Sequence, residues 1–109
     1  MTLEAPYFDR LYGAASDPWE FRSRPYEIRK RALTLACLPE PHYSTVFEPG
    51  CSIGVLTSDL AFRSDHLLSM EISALALALA ERTVPPNVEL RRGSVPEDWP
   101  EGSFELVVI

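Results

Sequence analysis

A stretch of alternating small and acidic residues stands out at positions 46–54, VFEPGCSIG. It places Glu48, Gly50, Ser52 and Gly54 at every second position. Glycine weakens helices and strands, but it lets the backbone turn sharply and approach a ligand closely. The spacing therefore predicts a turn over which a small molecule binds, with a carboxylate at its start.

A second acid, Glu71, ends the next apolar run, roughly 20 residues after the turn, where a ribose-binding carboxylate belongs in nucleotide-binding folds. A carboxylate can accept hydrogen bonds from both hydroxyls of a cis-diol, which makes Glu71 a candidate ribose ligand. In an open parallel sheet, ligands bind beyond the carboxyl ends of the strands. We therefore expect the turn and Glu71 to lie at the same edge of a sheet.

Two other nucleotide-binding patterns share the glycine turn but fit it less well. A phosphate-binding P-loop needs G-x-x-x-x-G-K-[ST], whereas Val55 stands five residues after Gly50 and no lysine follows. A dinucleotide fingerprint needs G-x-G-x-x-G, whereas Ser52 and Val55 occupy its second and third glycine positions. The P-loop is excluded, and a nicotinamide-dependent dehydrogenase is a weaker alternative.

Alternating helix and strand patterns surround these residues. Helix starts are predicted at Asp17-Pro18 and at Pro25, with the second helix running to about Leu38. Strands are predicted at 45–48, 67–72, 88–91 and 104–109, with a helix after Gly54 and another at 74–82 capped by Ser73. This order predicts a Rossmann-like three-layer α/β sandwich with a mostly parallel sheet covered on both faces.

The bulk composition limits the class of protein. The chain has 109 residues, of which 46% are hydrophobic and 24% charged, enough for one globular domain. Its net charge of −6 argues against a nucleic-acid partner, and no apolar run approaches the roughly 20 residues of a membrane span. Without a secretory leader, and with Cys37 and Cys51 lacking CxxC spacing, a reduced cytoplasmic protein is expected. No metal site is predicted, and His42 and His66 are expected in surface loops.

Several segments together resemble a known family. VFEPGCSIGVLTSDLA, LLSMEIS, VELRRGSVPE and GSFELVVI resemble the first four motif regions of class I S-adenosylmethionine-dependent methyltransferases. DPWEF and RPYEIRKRALTL resemble the N-terminal helices of the nodulation protein S-like branch. The resemblance covers nearly the whole chain and implies S-adenosylmethionine as the cofactor. It divides the chain into residues 1–44, a helical cofactor lid, and residues 45–109, an incomplete cofactor-binding core.

The resemblance also implies a role for each matching residue. Five residues would run under the methionine part of the cofactor: Glu48, Gly50, Cys51, Ser52 and Gly54. Glu71 would hold the ribose hydroxyls, and Ile72 would lie against the adenine face. Ser94 and Val95 would meet the adenine edge, although many relatives have an aspartate at the position of Ser94.

Two N-terminal residues, Trp19 and Lys30, would lie over the cofactor by the same resemblance. A lysine there is chemically reasonable, because the methionyl carboxylate needs a cationic partner. Simpler interpretations exist for several positions. Glu48 could cap the amides of its own turn, Lys30 could belong to a solvated charge run, and Cys51 is expected to pack rather than to react.

The resemblance implies transfer of a methyl group to an amine or hydroxyl of a small molecule or saccharide. No catalytic base is predicted. Because the chain stops on an apolar strand, we expect it to be the front part of a longer domain, with possible self-association through the open sheet edge. The alternative is a non-catalytic methyltransferase-like fragment or interaction module.

Overall fold

The computed structural model describes residues 4–109 and contains one four-stranded sheet with the strand order β3-β2-β1-β4, all pairs parallel. The helices are α1 (Ala5–Ala14), α2 (Pro25–Ala36), α3 (Val55–Ala61) and α4 (Ala74–Glu81). The strands are β1 (Tyr43–Pro49), β2 (Ser64–Glu71), β3 (Val88–Arg92) and β4 (Leu106–Val107). The predicted Rossmann-like α/β class and the predicted order of elements are confirmed.

The first helix does not lie where the sequence predicted it. It spans Ala5–Ala14 with a proline in its first turn, and no helix begins at Asp17-Pro18. The Asp17 carboxylate instead accepts hydrogen bonds from the backbone N–H groups of Phe21, at 2.8 Å, and Arg22, at 3.0 Å. An Asp-Pro pair starts a tight turn as readily as a helix, because the carboxylate satisfies whichever amides come next. The prediction of a helix start at Asp17 was therefore wrong.

Successive residues of the central strands feed two apolar clusters, as the alternation of side chains in a strand requires. Val46 and Leu67 pack with Leu60 of α3. Phe47 forms the second cluster with Leu68 and Met70 of β2. Val95 and Phe104, from the segment between β3 and β4, pack against this cluster. Residues 93–105, which form turns and bends, therefore supply the second layer where a helix would be usual in such a sandwich.

The last strand is shorter than predicted. Only Leu106 and Val107 are assigned to β4, opposite Val46 and Phe47 of β1, although a strand over 104–109 was expected. Val108 N–H still donates to the Phe47 carbonyl at 3.0 Å, so the chain continues to follow β1 beyond the assigned strand. The alignment with β1 is what brings this segment to the carboxyl end of the sheet.

Arg63, in the loop before β2, fixes the end of α2. Its guanidinium donates to the carbonyl oxygens of Leu35 at 2.6 Å, Leu38 at 3.3 Å and Pro41 at 3.1 Å, and also to that of Glu40. Carbonyls in the last turn of a helix lack a partner within the helix, and Arg63 binds that of Leu35 in this turn while its other acceptors lie in the segment after α2. The contact sets the position of α2 relative to the sheet.

No helix within residues 4–109 is long and apolar enough to cross a membrane.

Candidate functional site

The turn after β1 has a left-handed backbone at every second residue. Gly50 has φ 75°, Ser52 has φ 54° and Gly54 has φ 86°. Glycine adopts this region without steric cost, whereas a residue with a Cβ does so only under strain. The small residues at alternate positions of the sequence are thus the residues whose φ is positive. Among these three residues, Ser52 is the one whose backbone is strained.

The two glycines of the turn serve different ends. A Cβ at Gly54 would lie 3.1 Å from Ala80 Cβ and 3.1 Å from Val84 Cγ1, so this glycine allows the turn to pack closely against α4 and the residues after it. A Cβ at Gly50 would meet nothing within 4 Å. Gly50 therefore leaves open space above the turn, on the side where a ligand could bind.

The buried carboxylate of Glu71 ties the turn to the end of β2. Its Oε1 accepts from Ser52 N–H at 2.8 Å, and its Oε2 accepts from Ser73 N–H at 3.0 Å. The Glu71 carbonyl also accepts from Gly93 N–H at 3.1 Å, after β3. Each carboxylate oxygen retains further acceptor capacity, so the group is oriented and can still bind a diol.

A first cavity of about 370 Å³ opens at the carboxyl ends of β1, β2 and β3. It brings together many of the residues singled out from the sequence: Trp19, Gly50, Ser52, Glu71, Ile72, Ser94 and Val95. The polar groups of this cavity that could bind a ligand are the Glu71 carboxylate and the backbone of the turn. The position matches the edge at which parallel sheets bind ligands.

An aromatic wall that the sequence analysis had largely missed closes this cavity. Trp19 stands at its centre, with ring centroids 5.6 Å from Tyr12, 5.8 Å from Phe21 and 6.5 Å from Phe8. All four rings line the cavity. Phe8 and Tyr12 are four residues apart and so share one face of a helix. That spacing was the available signal, and it was lost when the first helix was misplaced.

A second cavity of about 250 Å³ adjoins the first, and both share Phe21, Gly50 and Ser52. Its lining adds Glu48 and Cys51 of the turn and two cations of α2: Lys30 and Arg31. Gly54 lines neither cavity, in keeping with its packing against α4.

Glu48 is almost wholly buried at the floor of the second cavity. Its Oε1 accepts from the hydroxyls of Thr57 at 2.6 Å and Ser69 at 2.9 Å, while its Oε2 accepts no hydrogen bond from residues 4–109. Burial raises the pKa of this carboxyl from 4.5 to about 7, against the opposing effect of the two hydroxyls. One oxygen of this carboxyl group thus accepts no hydrogen bond from residues 4–109, and the group ionises near neutral pH.

The turn amides have other partners than Glu48. Gly50 N–H and Cys51 N–H donate to the Met70 carbonyl at 2.7 and 2.9 Å, and Ser52 N–H donates to Glu71. The interpretation of Glu48 as a cap for its own turn was therefore wrong.

The two neighbouring cations of α2 differ in exposure. The Lys30 side chain is 57% exposed and its Nζ lies 3.5 Å from Glu27 Oε2. The Arg31 side chain is 18% exposed, donates to the Phe21 carbonyl and has its Nε 3.9 Å from Asp59 Oδ2. Arg31, which the sequence analysis did not single out, is thus the less solvated positive charge beside the turn. Within a run of three basic residues, only packing reveals which one faces inward.

The chain is similar to proteins of one enzyme class, although no protein-family model matches it. It is 35% identical over 71 residues to nodulation protein S of Azorhizobium caulinodans, a match that covers 64% of this chain and 34% of that protein. It is 44% identical to a proposed methyltransferase of known structure from Pseudomonas syringae, with a TM-score of 0.69, covering 77% of this chain and 55% of that one.

The fold is shared with a further solved structure, N-methyltransferase NodS from Bradyrhizobium japonicum WM9 in complex with S-adenosyl-L-homocysteine. The TM-score is 0.77 at 21% identity, covering 94% of this chain and 54% of that one. The chain is similar to class I S-adenosylmethionine-dependent methyltransferases and, among them, to the nodulation protein S-like branch. It spans about a third of the curated relative and about half of the two solved chains.

The loop after β3 differs at one position from what the resemblance to class I methyltransferases predicts. Ser94 stands at the position where the resemblance predicts an aspartate, and its backbone N–H donates to Asp98 Oδ2 at 3.0 Å. Ser94 and Val95 both line the first cavity. The Asp98 carboxylate, four residues further along the chain, therefore orders the backbone of this loop.

The remaining predictions from the sequence concern cysteine and histidine. Cys51 is buried, and burial raises the pKa of its thiol above the ordinary range, which suits packing rather than nucleophilic chemistry. His42 is exposed, with its Nε2 2.7 Å from Asp65 Oδ1. His66 is exposed as expected, but it lies within β2 rather than in a loop.

Proposed function

We propose that this chain binds S-adenosylmethionine over the glycine turn and serves as the cofactor-binding part of a methyltransferase. The observation that carries the proposal is the convergence of the turn, Glu71, Ile72 and the Ser94-Val95 loop on one cavity. These residues come from the ends of three neighbouring strands. The S-adenosyl-L-homocysteine named for the solved Bradyrhizobium relative supports the same ligand class.

The adenosine part would occupy the first cavity. Glu71 would accept from the two ribose hydroxyls with the acceptor capacity that Ser52 and Ser73 leave free. Ile72 would pack against the adenine ring, while Ser94 and Val95 would meet the adenine edge. Trp19, held among three other rings, would cover the nucleoside.

The methionine part would extend into the second cavity. The unfilled Oε2 of Glu48 suits the amino group, because an ammonium both needs an acceptor and stabilises the ionised carboxylate. Lys30 and Arg31 suit the carboxylate of the same moiety. Gly50, Cys51 and Ser52 would form the floor, and Gly54 would act indirectly by keeping the turn against α4.

For the acceptor, we propose an amine or hydroxyl of a small molecule or saccharide. Methyl transfer from a sulfonium is an in-line displacement in which the acceptor atom forms a bond to the methyl carbon as the carbon–sulfur bond breaks. Such a step depends mainly on positioning, and we assign no catalytic base. The net charge of −6 argues against a polyanionic acceptor such as a nucleic acid.

The division into a lid over residues 1–44 and a core over residues 45–109, a cytoplasmic location, and self-association through the β4 edge remain predictions. Gel filtration of the chain tests the last of these. A concentration-independent monomer would contradict it.

Isothermal titration calorimetry of the 109-residue chain with S-adenosyl-L-homocysteine tests the proposed function. We expect saturable one-site binding, with nicotinamide adenine dinucleotide giving none under the same conditions. Binding of the dinucleotide alone would support the dehydrogenase alternative. Binding of neither ligand would overturn the proposal and favour a non-catalytic module.

A further inference from the structure

Helix α1 is fastened over the first cavity at two points on one of its faces. The Ser73 hydroxyl donates to Asp9 Oδ1 at 2.6 Å, and a hydrogen bond joins the Tyr12 and Ser52 hydroxyls. Asp9 and Tyr12 are three residues apart, so both project from the same side of the helix. One contact reaches the residue that caps α4, and the other reaches the glycine turn.

Both serines are also bound to the same carboxylate. Ser52 N–H donates to Glu71 Oε1 and Ser73 N–H donates to Glu71 Oε2. A continuous chain of hydrogen bonds therefore runs from Asp9 through Ser73, Glu71 and Ser52 to Tyr12. The candidate ribose ligand stands at the centre of this chain of hydrogen bonds, and both of its ends lie on α1.

Ser52 has a specific reason to be a serine. At φ 54° a residue with a Cβ is strained, and glycine would be the easier choice there. The Ser52 hydroxyl, which a glycine would lack, forms a hydrogen bond with the Tyr12 hydroxyl. Tyr12 is itself 6% exposed, and burial raises the pKa of its phenol to about 12, so the hydroxyl stays protonated across the neutral range.

We propose that Asp9 and Tyr12 are positioning residues that couple closure of α1 to occupation of Glu71. A diol bound to Glu71 would fix the orientation of the carboxylate and, through their backbone N–H groups, the positions of Ser52 and Ser73. The two serine hydroxyls would then be placed to bind Tyr12 and Asp9 of α1. By linkage, whatever holds α1 closed must strengthen ligand binding by the same factor. The proposal rests on the proposed function, because it requires a ligand with a diol at Glu71.

Three substitutions separate the coupling from simple packing. Tyr12→Phe keeps the ring and removes the hydroxyl. Ser52→Gly removes the partner hydroxyl while relieving the backbone strain, so it should not unfold the turn. The control is Tyr7→Phe, the same change on the same helix at a residue that is 39% exposed and makes no side-chain hydrogen bond within residues 4–109.

The measurements are hydrogen exchange of the α1 amides and calorimetric affinity for S-adenosyl-L-homocysteine. In wild type and Tyr7→Phe, the ligand should slow exchange in α1. In Tyr12→Phe and in Ser52→Gly, exchange in α1 should be faster without ligand, the ligand-induced protection should be reduced, and affinity should fall roughly fivefold, as for one neutral hydrogen bond. The double variant should lose little more than either single one.

The outcomes distinguish this inference from the proposed function. If wild type fails to bind S-adenosyl-L-homocysteine, the proposed function is overturned, and with it the coupling. If wild type binds but Tyr12→Phe and Ser52→Gly match it in affinity and in α1 protection, the coupling is overturned while the proposed function stands. Additive losses in the double variant would also contradict a shared hydrogen bond.

Discussion

The backbone N–H of Ser52 donates to Glu71 Oε1 at 2.8 Å, joining two residues that are 19 positions apart in the sequence. The glycine turn and the candidate ribose ligand are therefore one unit. A ligand that contacts the turn lies beside an acceptor whose orientation the turn itself fixes. A substitution at either residue should therefore alter the position of the other.

Replacing the central carboxylate should test that unit directly. Glu71→Gln keeps the shape of the side chain but leaves one of the two serine amides without its acceptor. We expect affinity for S-adenosyl-L-homocysteine to fall at least about tenfold and the free energy of unfolding to fall by about 1–3 kcal/mol. Calorimetry and urea unfolding measure the two effects. Glu101→Gln makes the same charge change at an exposed turn residue, and equal affinities for the two variants would remove Glu71 from the site.

The buried carboxyl of Glu48 should make stability depend on pH. Its pKa is about 7 in the folded chain and 4.5 when unperturbed, so the unfolded state releases its proton first as the pH rises. The contribution of Glu48 to the free energy of unfolding should thus fall by about 3 kcal/mol between pH 4.5 and 7 and stay level above. Urea unfolding at several pH values should show this fall in wild type and lose it in Glu48→Gln. An identical pH profile for the two proteins would rule out the shift.

The two turn glycines should respond differently to alanine. Gly54→Ala adds overpacking against Ala80 and Val84 to left-handed strain, for a loss of about 2–4 kcal/mol in the free energy of unfolding. Gly50→Ala adds strain alone, about 1 kcal/mol. Its methyl group would nevertheless occupy the open space above the turn. The free energy of binding S-adenosyl-L-homocysteine should therefore fall by more than the free energy of unfolding. Equal stability losses in the two variants, measured by urea unfolding, would refute the assignment of separate roles.

The two cations beside the second cavity should contribute unequally to ligand binding. Arg31 is mostly shielded from solvent and Lys30 is not, and solvent screens an exposed charge more strongly. Arg31→Gln should weaken binding of S-adenosyl-L-homocysteine by about tenfold, and Lys30→Gln by less than about twofold. Titration calorimetry at two salt concentrations measures both. A larger loss for Lys30→Gln would restore the sequence-based choice of Lys30.

Much of the sheet and its turn was predictable because the signals are local. The element order follows from the periodicity of apolar residues, and the Ser73 cap follows from residue type and is confirmed by its bond to Ala76 N–H at 3.2 Å. The first helix was misplaced because Asp17-Pro18 satisfies the same local rules as a helix start while capping a turn. The site residues on that helix were missed with it.

The sequence by itself determined where the backbone must turn sharply and which acid lies one strand further on, since both depend on residue type and spacing. Only the tertiary structure decided what surrounds them. Tyr12 meets Ser52 across 40 residues, and Arg31 rather than Lys30 lies shielded beside the turn. Glu48 acquires its raised pKa only when packing removes water from it. Burial and long-range contact arise from the packing of whole elements, which no local pattern of residues specifies.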